Sequence, residues 1–272
     1  MYVAALILLL NALPESRRGS ILATKFSDER LIMAADSKAI DNNGHRIDDC
    51  ECKIHIIGKS LIFVTGGREH VDINNKTFLD ATDIAVSVRR SNSTASIEKV
   101  ATLWEQRMEM ALEKLGKISR QILLGGLGKD QAVAVGVFAG TESDGRISLC
   151  MSEIGYDIVG GNVVLKTHLQ MIEPPSIGSF FTHGAAFFNE FVIGKTQRAR
   201  DWQIRLKQEI DSKHIVDYDP YFLIAGVQAA IEWANDEAIG GEVDALILHK
   251  GGKIEWLQKK KHCYHEPDQP AH

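Results

Sequence analysis

The stretch SILATKFSDERLIMAADSK, residues 20–38, reads as two short strands folded back on each other. Ser20 to Phe26 mixes apolar with small residues. Leu31 to Ala35 follows across Ser27-Asp28-Glu29-Arg30, a composition suited to a hairpin turn. Further out, Asn42-Asn43-Gly44 marks a tight turn, because Asn and Gly tolerate positive φ. Cys52 to Ile57 and Leu61 to Val64 form a second strand pair across Gly58-Lys59-Ser60. Four strands with such short connections imply an antiparallel sheet and not βαβ units.

Beyond this region the period changes. Val100, Trp104, Met108, Leu112 and Leu115 recur about every four residues, with Glu and Lys in the gaps, so an amphipathic helix is expected, begun near the capping residue Ser96. A shorter helix is expected over Phe78 to Arg89. Strand patterns return at Gln131 to Ala139 and Arg146 to Met151, joined by Ser143-Asp144-Gly145. Helices are expected again at Ala199 to Lys213 and Tyr221 to Asn235. Val243 to His249 and Ile254 to Leu257 make a closing hairpin through Gly251-Gly252. Strands, helices, strands, helices, strands is an α+β order, satisfied by one domain of two stacked antiparallel sheets flanked by helices.

The composition narrows the function classes. The 272 residues are 44% hydrophobic and 25% charged, which excludes a disordered or fibrous chain. A net charge of −5 without a basic run offers no grip on a phosphate backbone, so no nucleic-acid partner is expected. Tyr2 to Leu10 is apolar, but nine residues make only about 14 Å of helix, too short to span a bilayer. Its length suits the apolar part of a signal segment, although no Lys or Arg precedes it. No stable membrane insertion is expected from the rest of the chain.

The stretches Ser20 to Phe26, Leu31 to Lys38 with Ala-Ala-Asp36-Ser37, Cys52 to Ile56 with Lys53, and Phe63 to Gly67 together resemble the opening of the proteasome β-type subunits. These are N-terminal nucleophile (Ntn) hydrolases. The resemblance implies a four-layer αββα sandwich with a nucleophile at Ser20, exposed by autocleavage after Gly19. It implies supporting roles for Asp36 and Lys53, an oxyanion-hole amide at Gly66 or Gly67, and, by a looser alignment, a second aspartate at Asp217. It also implies a domain over residues 20–258, a leader or propeptide over 1–19 and a polar tail over 259–272. Peptide or small-amide substrates, a homo-oligomer or ring assembly and a cytoplasmic location follow from it as well. Residues 1–13, read as a signal segment, point instead to a secreted or periplasmic protein. Two departures stand out: Ser replaces the family's usual Thr, and Val159-Gly160-Gly161-Asn162 lacks the serine of the family's Gly-Ser-Gly-like turn.

The chemistry of that set is coherent. A cut after Gly19 gives Ser20 a hydroxyl and a free α-amine on one residue, and an α-amine with a pKa near 8 serves as general base. A cation at Lys53 would lower the pKa values of both groups. Asp36 would hold Lys53 in place, and a Gly66 or Gly67 N–H would meet the charge that develops on the tetrahedral intermediate. The alternatives are a small-amide acylase of the same fold, or a non-catalytic structural subunit of a proteasome-like assembly in which Ser20 stays unexposed.

No cofactor or metal is expected. His45, Cys50, Cys52 and His55 supply zinc-type ligands, but their C-x-C spacing is poor for a structural site. His262, Cys263, His265 and His272 sit in the polar tail. Gly125-Gly126-Leu127-Gly128-Lys129 is not a phosphate loop, and Asp217 to Asp219 lacks EF-hand spacing.

Overall fold

The computed structural model describes residues 21–37, 39–40, 46–48, 52–73, 76–125, 127, 132–181, 184–188, 208, 211–212, 217–234 and 240–260. The expected leader, the Gly19–Ser20 junction and nearly all of the expected helix Ala199 to Lys213 lie outside these residues.

Two antiparallel sheets hold most of the described chain. A six-stranded sheet has the order β13 (Gly184–Phe188), β12 (Ser176–Phe181), β1 (Ile21–Phe26), β2 (Arg30–Ala35), β14 (Asp244–His249) and β15 (Ile254–Gln258). A five-stranded sheet has the order β11 (Asn162–Ile172), β10 (Ile147–Val159), β9 (Ala134–Thr141), β6 (Leu61–Gly67) and β5 (Ile54–Ile57). Two small ribbons complete the set, β3 (Ala39–Ile40) with β4 (Arg46–Asp48) and β7 (His70–Ile73) with β8 (Lys76–Asp80). The β1–β2 hairpin has the turn read from the sequence: the Ser27 N–H donates to the Arg30 carbonyl at 2.9 Å.

The alternation of side chains along the strands sorts the core. Leu22, Met33, Ala35 and Leu246 of the six-stranded sheet share one apolar layer with Ile54, Val64, Val137 and Leu149 of the five-stranded sheet. The other face of the five-stranded sheet packs on helices α1 (Ala81–Ser91) and α2 (Ile97–Ile118). There Phe63, Trp104 and Phe138 pack tilted or edge-on to one another, with ring centroids 4.8 to 5.6 Å apart. A Cβ at Gly136 would come within 2.7 Å of the Trp104 ring, so the bare backbone makes room for the indole. Against the outer face of the six-stranded sheet lies α4 (Tyr218–Ala234), through Leu223 and Val227.

The expected four-layer αββα sandwich of an α+β domain is overturned. The described chain is mostly β, with fifteen strands against four helices, one of which, α3 (Arg120–Leu124), is five residues long. The excess of strand has identifiable sources. The strand expected to stop at Met151 continues to Val159 as a 13-residue strand, and β11 returns beside it in unbroken register. Val163, Leu165, Leu169 and Met171 alternate along β11, a period of two that the sequence carries. Phe78 to Asp80, expected as the start of a helix, is the end of β8. The helix begins only at Ala81, because the Asp80 carboxylate caps it by accepting from the Asp83 N–H at 2.8 Å.

Candidate functional site

Both sheets bring chemistry-bearing residues to one end, and two contacts fix which ends coincide. A Cβ on Gly252, in the β14–β15 turn, would lie 2.8 Å from Thr141 Oγ1 and 3.4 Å from Ser60 Cβ. The Gly251 N–H donates to the Gly145 carbonyl at 3.1 Å. The Arg30 end of β2, abreast of His249, therefore sits by the Ser60–Thr141 end of the five-stranded sheet. The opposite ends then share the other pole of the molecule: the start of β1, the end of β2, the start of β5 and the end of β6.

Ser20 and Gly19 lie outside the described residues. Ile21 opens β1, and the register Leu22↔Ala35 carries Asp36 to the row of Ile21. Asp36 is fully buried, and its Oδ2 accepts from the Gly240 N–H at 3.2 Å. The Ser37 N–H donates to the Gly240 carbonyl at 3.1 Å. The Gly240-Gly241 turn thus clasps the end of β2 and holds Asp36 still.

Lys53, immediately before β5, is 3% exposed, and its Nζ lies 2.7 Å from Glu69 Oε1. Glu69 stands two residues beyond β6, outside the expected set. The last two residues of β6 are the expected glycines. The Arg68 N–H donates to the Val133 carbonyl at 2.8 Å, so strand alternation sends the Gly66 amide to β9 as well, in its pairing with Val135. The Gly67 amide then points the other way, past the start of β5. Of the two candidates for an oxyanion donor, Gly67 has the amide that β9 does not use. Gly67 also has φ +82°, and a Cβ there would stand 2.5 Å from the Val133 carbonyl oxygen, so only glycine fits.

Asp217 is not brought to this site. It pairs with the Arg30 guanidinium, which also reaches Asp219 at 3.0 Å. Arg30 opens β2 and Asp36 follows its last residue, so about 20 Å of strand separates the two positions. The hydrogen bond from Arg30 holds the Asp217 carboxyl below its ordinary range, which marks a structural ion pair at the far pole. The looser alignment over this part of the chain misassigned it.

The site pole holds a further ion pair absent from the sequence reading. Asp244 pairs with Ala35 across β2, and its Oδ2 lies 2.9 Å from Lys260 Nζ, with both side chains at most 2% exposed. The Lys260 N–H also donates to Asp244 Oδ1 at 3.1 Å. A signal existed: Asp244 falls in register with Leu246 and Leu248, on the face toward the other sheet, where a carboxylate requires a cation. Lys259-Lys260-Lys261 instead looks like a solvated tail. Arg68, 8% exposed, ties the same pole to α3 by donating to the Leu123 and Gly125 carbonyls.

Cys52 is disulfide-bonded, so it supplies no free thiolate for the zinc-type set. Among the described residues no group of three His, Cys, Asp or Glu is placed to hold a metal. A cleft of about 440 Å³ lies at the far pole, but Glu142 there accepts from the Ile97 N–H and Asp144 pairs with Arg146. These two carboxylates cap a helix and brace a turn.

Compared with known proteins, the sequence matches no family model and no curated protein. Among the described residues no helix is long and apolar enough to cross a membrane.

Proposed function

We propose that the protein is an amide-bond hydrolase whose nucleophile is Ser20, freed by cleavage after Gly19, in the manner of the proteasome β-type subunits that its opening residues resemble. One observation carries this reading. The pole at which β1 begins, one residue after Ser20, also holds buried Asp36, buried Lys53 and the Gly67 amide left over by β9. A supporting carboxylate, a cation and an oxyanion donor are what an N-terminal serine, with its own α-amine as base, uses to attack an amide. The substrate is a peptide or small amide, and no cofactor is needed. The Cys52 disulfide favours an oxidising compartment and so supports the outward reading of residues 1–13 over the cytoplasmic one.

The displacement of Asp217 to the far pole supports the rival reading, a non-catalytic subunit that is never processed. One experiment separates the two. The intact mass and N-terminal sequence of the purified chain are taken beside those of Ser20→Ala. A wild-type chain starting at Ser20, with a variant that keeps its leader, supports the hydrolase. A wild-type chain that retains residues 1–19 has no free α-amine at Ser20 and decides for the non-catalytic subunit.

A further inference from the structure

We propose that Glu69 is the positioning residue for Lys53, holding its ammonium in place and charged beside the Gly67 amide. The inference rests on the hydrolase reading for its catalytic consequence, but the pairing itself is testable without it. Lys53 is 3% exposed, and an ammonium removed from water tends to shed its proton unless a counter-charge keeps it. Glu69 Oε1 at 2.7 Å supplies that charge within the range of a charge-assisted hydrogen bond.

Glu69 is fixed by its own backbone. Its N–H donates to the Gly67 carbonyl at 3.0 Å, and its carbonyl accepts from the N–H of Ala81, the first residue of α1, at 2.8 Å. The carboxylate is thus carried on a segment pinned between the glycine turn and a helix start. Its other oxygen, Oε2, is buried without a hydrogen-bond partner. Such an atom is costly to bury and calls for a reason. Holding a neighbouring cation in one direction supplies one. The four residues Gly66 to Glu69 therefore set two parts of the site together: the amide that would meet the oxyanion and the carboxylate that orients the lysine. A displacement of this segment would disturb both.

The test uses the full chain, labelled with ¹³C at the lysine ε-carbon, and the variants Glu69→Gln and Glu69→Asp. In Glu69→Gln the Lys53 resonance should titrate at least about one pH unit lower than in wild type, because the Glu69 charge is gone while burial remains. Cleavage after Gly19 should slow at least about tenfold, which is about 1.4 kcal/mol of barrier. Glu69→Asp keeps the charge one carbon further away and should fall between the two. It keeps the proposal open to refutation if Glu69→Gln does not fold, as judged by near-UV circular dichroism. An unchanged Lys53 titration in a folded variant overturns the proposal and leaves the Ser20 reading standing. A wild-type chain that never processes, with Lys53 still shifted by Glu69→Gln, leaves the pairing intact and removes the hydrolase. The pairing with normal cleavage in Glu69→Gln overturns the catalytic role alone.

Discussion

At the residue scale, Gly67 concentrates the constraints of the site. Its φ of +82° is disfavoured for side chains, and the Val133 carbonyl oxygen occupies the place of a Cβ. Gly145 has the same φ of +82° with nothing within 4 Å of a built Cβ. The two glycines therefore separate conformational strain from collision. Gly145→Ala should cost about 1 kcal/mol, the conformational part alone. Gly67→Ala should cost more, about 2–3 kcal/mol, because the end of β6 must also move off β9. Urea denaturation of the two variants measures the difference, and equal costs would show that the β6–β9 contact yields freely. The pair Gly66-Gly67 enters the candidate site through the resemblance to the proteasome β-type subunits, since by itself it reads equally well as a turn. Which of the two keeps a usable amide was not legible, since that follows from a hydrogen bond between Arg68 and Val133, 65 residues apart in the chain. Glu69 was passed over for a similar reason: nothing local joins it to Lys53, which reaches it from another strand.

At the scale of elements, the β7–β8 ribbon and the β14–β15 hairpin each hinge on a charge pair. His70 lies between Asp72 at 3.2 Å and Asp80 at 3.1 Å, and the second of these also caps α1. Burial pulls the His70 imidazole down, but the hydrogen bonds to Asp80 and Asp72 outweigh it and leave its pKa above the ordinary value. A raised folded pKa contributes stability that is fully present below the unfolded pKa of about 6.5. That stability is lost as pH rises through the folded value. His70→Ala should therefore lower the melting temperature at pH 5 and do so less at pH 9, a comparison thermal denaturation provides. A deficit that grows with pH would contradict the assignment.

The second pair is of a different kind. Asp244 and Lys260 are at most 2% exposed, so removing one of them breaks a buried ion pair. Asp244→Asn should cost about 3–5 kcal/mol, whereas Asp244→Leu with Lys260→Met should recover most of it. Denaturant midpoints of the single and double variants check this. The strands of this hairpin were legible from their apolar alternation and the Gly251-Gly252 turn. The long β10–β11 hairpin was not fully legible, because Gly155 and the charged residues Asp157 and Lys166 interrupt its apolar pattern. In the structure those interruptions fall where only one face of the hairpin is covered: Asp157 and Lys166 pair in the open, and Ile158, Val159 and Val164 are exposed. The expected weight of helix against strand failed for a related reason. Local periodicity identifies a helix, but it does not say how much of a sheet that helix will cover.

At the scale of the whole molecule, charge is divided between the two poles. At the Arg30 pole the ion pairs reach into solvent: Lys25 with Asp219, Arg30 with Asp217 and Asp219, and Lys250 with Glu29. The first three join β1 and β2 to the first turn of α4. At the site pole the Asp244–Lys260 pair and the Lys53 ammonium are buried. Salt distinguishes these environments, since at about 1 M it screens exposed charges over roughly 3 Å and leaves buried pairs nearly untouched. Amide hydrogen exchange at low and at molar sodium chloride should accordingly change unevenly across the molecule. Protection of the second-turn amides of α4, which donate to the first-turn carbonyls, should fall about two- to fivefold, the range given by exposed pairs worth a few tenths to 1 kcal/mol. Protection of β14 near Asp244 and of β2 near Ala35 should stay within about twofold. A uniform change would mean that the two poles are coupled through the sheets and open together. The expected asymmetry would mean that the end carrying Asp36, Lys53 and Gly67 keeps its geometry while the opposite end loosens, as a site built on strand ends requires.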